Sequence, residues 1–204
     1  MKEITVYMSH RNGLDPAFCR EAEVLGRMIG ERGYSLRYGA GGDGLMGTVA
    51  RAALTAGARV VGVTTPTLRE REPPVEGIHH LHVVNTLDER EALLRLGDGF
   101  IVLPGSHGTL GEFVRTLMER KLGVHTKPIV LLNVARFWDP FLAFCHSARL
   151  HGIMGSEGLE AVPVVDSPDE ALTAIERAWA ASGQAASSPD FSASERHRAL
   201  GIAA

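Results

Sequence analysis

A chain of 204 residues with 45% hydrophobic and 22% charged residues is long enough to bury one full core and has the composition of an ordinary globular domain. Its formal net charge of −3 gives no electrostatic reason to bind DNA, RNA or an anionic membrane surface, and leaves room only for a local anion site. No apolar run reaches membrane-spanning length, "MKEITVYMSH" is too short for a signal peptide, and Cys19 and Cys145 form no paired motif. The expectation is a cytoplasmic protein with free thiols, no membrane contact and no nucleic-acid partner.

Short apolar runs then alternate with helical stripes along the chain. "EITVYM" (3–8) predicts a strand, and "DPAFCREAEVLGRMIGERG" (15–33) a helix with Asp15 as N-cap, Pro16 at its first position and Gly33 as its stop. "YSLRYG" predicts a second strand, followed by the glycine-rich "GAGGDGLMG" and a small-residue helix, "TVARAALTAG". "ARVVGVT" and "HLHVVN" predict two more strands. Between them "TPTLREREPPVEGIHH" (65–80), with three prolines, reads as a surface loop of functional potential. "TLDEREALLRLG" predicts a helix and "GFIVLP" a strand. "GTLGEFVRTLMERKLG" predicts a helix that turns Leu110, Phe113, Val114, Leu117 and Met118 inward. "KPIVLLN" predicts a strand, "FWDPFLAFCHSARLHG" a helix started or interrupted near Pro140, and "LEAVPVV" a short last strand. "SPDEALTAIERAWAAS" closes as a helix capped by Ser167 or Asp169.

This alternation implies crossover connections. The expected fold class is α/β, doubly wound, with a mainly parallel Rossmann-like sheet and helices on both faces. It forms one nucleotide-binding domain over residues 1–182, with 183–204 as a loosely ordered tail of small polar residues.

In such a sheet, ligands bind where loops leave the carboxyl ends of the strands. Both glycine-rich loops lie at such ends. Residues 39–44, "GAGGDG", match GxGxxG, but no acidic residue stands at the end of the next strand, "VGVTTPT", which argues against a dinucleotide. A tight turn, or a phosphate or ribose contact through Gly41 and Gly42, remains. In "LPGSHGTLGEF" (103–113), Gly105 and Gly108 let backbone N–H groups turn inward at a helix start. Ser106 and Thr109 add hydroxyl donors, and no Walker lysine follows. Thr109 and Glu112 also have the T-x-x-E spacing of a capping box, which spacing alone favours over a catalytic carboxylate. Arg90, read from its charge run "DERE", is a solvated helix residue paired locally. "HHLH" (79–82) lacks the partners of a metal site, and Ser106 lacks a G-x-S-x-G elbow.

Taken together, "YGAGGDGLMG" (38–47), Arg90 in "DEREALLRLGDGFIVLPG" and "PGSHGTLGE" (104–112) resemble the LOG family, cytokinin riboside 5′-monophosphate phosphoribohydrolases often misannotated as lysine decarboxylases. That family's hallmark is PGGxGTxxE with an upstream Arg-Lys pair and a GGGxxGLMG loop. The similarity runs from the first strand to about Gly155.

The resemblance implies hydrolysis of the N-glycosidic bond of a cytokinin or purine nucleoside 5′-monophosphate to free base and ribose 5-phosphate, as in cytokinin biosynthesis. It implies Glu112 and Arg90 as the catalytic pair and Gly105, Ser106, His107, Gly108 and Thr109 as the phosphate cradle. It also implies Glu72, matched by spacing, as a substrate-binding residue, and a homodimer with the active site near the interface. Glu112 would stabilise positive charge on the ribose and orient or deprotonate water, while Arg90 would hold phosphate or ribose and set Glu112; neither a metal nor a redox cofactor is needed.

The chain departs from the pattern at Ser106 for a glycine, Ala40 in "YGAGG", Glu91 for the lysine, Gly111 for an acidic residue, and "MSHRNG" for a Cys-Gly-Ser-Ser-like turn. Glu91 weakens attraction for a dianionic phosphate unless Arg11 or His10 compensates. Two alternatives therefore stand beside the hydrolase. One is a non-catalytic carrier of a nucleotide or molybdenum cofactor, and the other a pathway-specific glycosidase that spares AMP.

Overall fold

The computed structural model describes residues 1–155 and 159–185. The short apolar runs form strands β1 (Glu3–Tyr7), β2 (Ser35–Tyr38), β3 (Val60–Thr64), β4 (His80–Val83), β5 (Gly99–Val102), β6 (Ile129–Leu132) and β7 (Val164–Val165). The stripes between them form helices α1 (Pro16–Glu31), α2 (Gly44–Thr55), α3 (Pro66–Arg71), α4 (Leu87–Leu94), α5 (His107–Lys121), α6 (Asp139–Leu150) and α7 (Pro168–Ala185).

The strands make one seven-stranded sheet in the order β4-β3-β2-β1-β5-β6-β7, and every neighbouring pair is parallel. The chain winds outward from β1 to β4, then crosses back to place β5 on the other side of β1. The sheet therefore reverses its direction of growth between β1 and β5, where Thr5 pairs with Phe100 and Tyr7 with Val102. That reversal opens a crevice at the carboxyl ends of these two strands.

Strand periodicity decides which helices cover which face. In β5 and β6, Phe100, Val102, Ile129 and Leu131 join one core with Tyr7, Phe113 and Trp138. Their neighbours Ile101, Val130 and Leu132 join the other, with Leu25, Ile29, Val49, Leu172 and Ile175. Each of these large side chains contributes about 1.5–3 kcal/mol of hydrophobic stabilisation.

Helix ends follow local chemistry. Asp15 accepts from the Ala17 N–H at 2.8 Å, Pro16 presets the first turn, and Gly33 adopts φ +72° beyond the last turn. Ser167, of the two candidates, caps α7: its Oγ accepts from Glu170 N at 3.3 Å, and Glu170 Oε2 accepts from Ser167 N at 3.2 Å. Pro140 falls in the first turn of α6 and starts the helix rather than interrupting it.

Four local expectations are corrected. The 65–80 loop contains α3, because Thr65 Oγ1 accepts from Leu68 N at 3.3 Å and Pro66 fixes the first helical φ. Helix α2 begins at Gly44, inside the glycine-rich segment. Val114 and Met118 on α5 do not point inward but are 39% and 46% exposed; the buried stripe is instead Thr109, Glu112, Phe113 and Thr116. Helix α7 continues to Ala185, past the boundary expected at 182, and residues 186–204 of the expected tail lie outside the described residues. Among the described residues, no helix is long and apolar enough to cross a membrane.

Candidate active site

Four chain segments meet at the carboxyl end of the sheet. Ser9, leaving β1, ties two of them together: its N–H donates to Pro104 O at 3.1 Å and its carbonyl accepts from Met46 N at 3.2 Å. Asn12 Oδ1 accepts from Gly44 N at 3.0 Å, at the start of α2, where Asp43 makes no side-chain cap. The loops after β1, β2 and β5 are thereby fixed against one another.

The α5 start is open. Ser106 is the N-cap residue but makes no side-chain cap hydrogen bond, and the helical ladder begins with Leu110 N to Ser106 O at 2.9 Å. The N–H groups of His107, Gly108 and Thr109 have no intrahelical acceptor, and Ser106, His107 and Gly108 are exposed. Gly105 lies beneath the Thr109 side chain, which a Cβ at Gly105 would strike. Such an end, with the positive pole of the helix behind it, suits an anionic oxygen cluster.

One turn further in, Glu112 Oε1 accepts from Arg90 Nη1 at 2.8 Å. Glu112 is 7% exposed and Arg90 8%. The guanidinium is fixed by two backbone carbonyls, Val63 O to Nε at 3.1 Å and Gly39 O to Nη2 at 3.4 Å. Side chains from α4 and α5 and carbonyls from the ends of β2 and β3 thus enclose one ion pair. Burial pushes the Glu112 carboxyl upward from its ordinary value, Arg90 opposes this, and the nearby Glu91 carboxylate adds to it. Glu91 itself reaches Arg95 at 3.5 Å.

Two expectations for these residues are overturned. Thr109 and Glu112 form no capping box, because α5 starts at His107 and both residues already lie within it. Arg90 is not a solvated member of a charge run, because its partner lies on another helix and both are buried.

Glu112 is also braced from behind. Thr116 Oγ1 donates to Glu112 O at 2.8 Å and lies 2.9 Å from the Tyr7 hydroxyl. Burial pushes the Tyr7 phenol up, so it stays neutral.

Glu72, just past α3, stands 3.3 Å from His10 Nε2 through Oε1. Gly41 lies against this second pair: a Cβ there would sit 3.2 Å from Glu72 Oε2, 3.7 Å from His10 Cβ and 3.0 Å from Met46 Sδ. A Cβ at Gly39 would collide with the Arg90 guanidinium. Between them Ala40, buried, holds the left-handed φ of +66°. Gly42 packs against Pro73, and its carbonyl accepts from Arg51 Nη1 at 3.0 Å.

The structure brings Arg90, Glu112, Gly105, Thr109, Ser106, His107, Gly108, Gly41 and Glu72 to one end of the sheet. Sequence reasoning missed Ser9, Asn12, the Tyr7–Thr116 brace and the pairing of His10 with Glu72. The carbonyls that hold Arg90 leave no mark in a sequence. Of the "HHLH" residues, His79 Nδ1 accepts from Val60 N at 3.2 Å, and the His80 and His82 rings pack edge to face at 4.2 Å. Among the described residues, no group of three or more His, Cys, Asp and Glu is arranged for a metal ion.

The family model described as "Possible lysine decarboxylase" matches residues 46–175. A protein of Oryza sativa subsp. japonica named cytokinin riboside 5′-monophosphate phosphoribohydrolase LOG is 38% identical over 157 residues, covering 76% of this chain and 65% of that protein. The chain thus spans just under two thirds of that relative's length. A Rhodococcoides fascians protein named cytokinin riboside 5′-monophosphate phosphoribohydrolase is 38% identical over 176 residues, 85% of this chain and 89% of its own length. Among solved structures, a molybdenum cofactor carrier protein from Chlamydomonas reinhardtii superposes with TM-score 0.67 at 20% identity, over 88% of this chain and 98% of that one. A molybdenum cofactor binding protein from Rippkaea orientalis gives 0.65 at 21%, over 87% and 97%. At these identities the likeness concerns the fold alone. Matched over most of its length, the chain belongs to the LOG family, the group whose family model is described as possible lysine decarboxylase.

Proposed function

We propose that this protein hydrolyses the N-glycosidic bond of a purine nucleoside 5′-monophosphate, of which the cytokinin riboside monophosphates in its relatives' names are one class. The observation that carries this reading is the buried Arg90–Glu112 pair beside the open N-terminus of α5. From His107 to Glu112 is five residues, about 7.5 Å along a helix axis. That is the scale of a ribose 5-phosphate.

The phosphate would rest on the N–H groups of His107, Gly108 and Thr109, with the Ser106 hydroxyl beside it. The ribose would then reach Glu112. Departure of the base builds positive charge at C1′, which a carboxylate in a low-dielectric site stabilises strongly. The same carboxylate takes a proton from the attacking water, a task suited by its upward-shifted proton affinity. Arg90 fixes the carboxylate and leaves one of its oxygens for this work.

A homodimer is part of the proposal. Val114 and Met118 on α5 and Leu122 at its C-cap recur every four residues and are 39%, 46% and 71% exposed, an apolar stripe along the helix that carries Glu112. A second copy covering that stripe would sit beside the active site. The free Cys19 and Cys145 fit a reducing cytoplasm.

The test is to incubate the protein with AMP and with N6-isopentenyladenosine 5′-monophosphate and to quantify base and ribose 5-phosphate. Equimolar release of the two products is expected. Binding of both nucleotides with no release would point instead to a carrier, and release from neither common base but from a rarer one to a specialised glycosidase.

A further inference from the structure

The Arg90–Glu112 pair accounts for the water side of the reaction and leaves the other side without a group. When the C1′–N bond breaks, its electron pair goes to the base. A purine anion leaves poorly unless a proton reaches it as the bond breaks. Arg90 cannot supply one, since a guanidinium does not deprotonate in proteins. Glu112 is occupied with the proton of the water.

We propose that His10, held by Glu72, is the proton donor to the departing base. This rests on the hydrolase reading above and extends it.

Three observations converge on His10. It stands where β1 leaves the sheet, at the crevice between β1 and β5 and next to Ser9, whose N–H donates to Pro104 O. Its Nε2 lies 3.3 Å from Glu72 Oε1, the arrangement of an imidazole oriented by a carboxylate. With Nε2 on Glu72, Nδ1 is the ring atom left to face a ligand, and the side chain is part-exposed. Finally, the two side-chain pairs flank one three-residue segment. The carbonyl of Gly39 holds Arg90, and Gly41 lies against His10 and Glu72. Two residues of chain span at most about 7 Å, so both pairs can touch one nucleoside.

The other histidine at this end, His107, is at the first position of α5, on the phosphate side. A nucleotide with its phosphate on α5 carries its base away from His107.

The step balances. The water oxygen bonds to C1′ and gives its proton to Glu112. The C1′–N bond breaks with its electrons moving to the base, which takes the proton from His10 Nδ1. Neutral base and ribose 5-phosphate leave, and Glu112 loses its proton to solvent while His10 gains one.

The experiment compares AMP with 7-methylguanosine 5′-monophosphate, whose base already carries positive charge and departs without a proton. His10→Asn is expected to lower kcat on AMP by about 10²–10⁴-fold with little change in KM, and to leave cleavage of the methylated nucleotide within about threefold. Equal losses on both substrates, or no loss on AMP, overturn the assignment. Where the methylated nucleotide is not turned over, free imidazole added to His10→Ala decides. Restored AMP cleavage supports the proton donor and absence of rescue overturns it. Wild-type protein that releases no base from any nucleotide removes the hydrolase reading itself, whereas intact release in His10→Asn removes only the role of His10.

Discussion

The tetrad T-L-x-E recurs along the chain, and two of its copies, Thr86–Leu87–Asp88–Glu89 and Thr109–Leu110–Gly111–Glu112, do different things. In the first, Thr86 Oγ1 accepts from Glu89 N at 3.1 Å, and Glu89 Oε2 accepts from Thr86 N at 3.1 Å and Asn85 N at 2.9 Å. This is a capping box at the exposed start of α4. In the second, the helix has already begun at His107, so the threonine is buried under the first turn and the glutamate faces inward to Arg90. The spacing is the same, and the position of the helix start decides between a cap and a site. The two are also connected, because the capping box fixes the first turn of α4 and Arg90 is the residue that follows Glu89.

The largest effect that would test this contrast is at Glu112. Glu112→Gln keeps the shape but removes the charge, and AMP cleavage is expected to fall by at least about 10³-fold in kcat, measured as released base. The matching change in the cap, Glu89→Gln, is expected to leave kcat within about twofold, since a capping-box glutamine still accepts from Thr86. Next comes Arg90→Met, which leaves a carboxylate buried without its partner. Loss of one partner of a buried pair costs about 3–5 kcal/mol, read as a lower urea midpoint.

A pH profile sharpens the same point. Glu112 must be ionised to accept a proton, and burial raises its pKa. Activity is therefore expected to fall as pH drops through a value above the ordinary glutamate pKa of about 4.3, and Glu112→Gln should lose that acid limb. The smallest expected effects are structural. Thr86→Ala removes the cap and should cost about 1 kcal/mol in chemical denaturation with little change in KM. Thr116→Val removes the hydroxyl behind Glu112 and leaves the buried Tyr7 hydroxyl unpaired, at about 1–3 kcal/mol. If Glu89→Gln abolished activity as fully as Glu112→Gln, the distinction between cap and site would collapse.

Much of the fold was legible because burial leaves a periodic trace. Strands such as "GFIVLP" and "KPIVLLN" are continuous apolar runs, as strands covered on both faces must be, and α1 announces both of its ends. The errors have physical causes. On α5 the inward stripe is Thr109, Glu112 and Thr116 around Phe113, polar because it carries the site and its brace. A search for apolar periodicity therefore turns toward Val114 and Met118, the outward side. Helix α3 was hidden by prolines that usually mark loops, although Pro66 after Thr65 is a helix start.

At the site, the carboxylate and the arginine were legible as members of separated motifs, but their meeting was not. "DERE" looks solvated until β3 and β4 bring α4 beside α5. The pairing of His10 with Glu72 joins residues from two loops of different strands, and no local spacing announces it.

In the proposed reaction the buried carboxylate of Glu112, and not merely the anion-binding end of its helix, carries hydrolysis. Single-turnover cleavage of AMP by wild-type protein and by Glu112→Gln, with nucleotide binding measured on both, tests it most directly. Comparable binding by the two proteins, with base release only by the wild type, is the expected result. Base release by Glu112→Gln at the wild-type rate would contradict it.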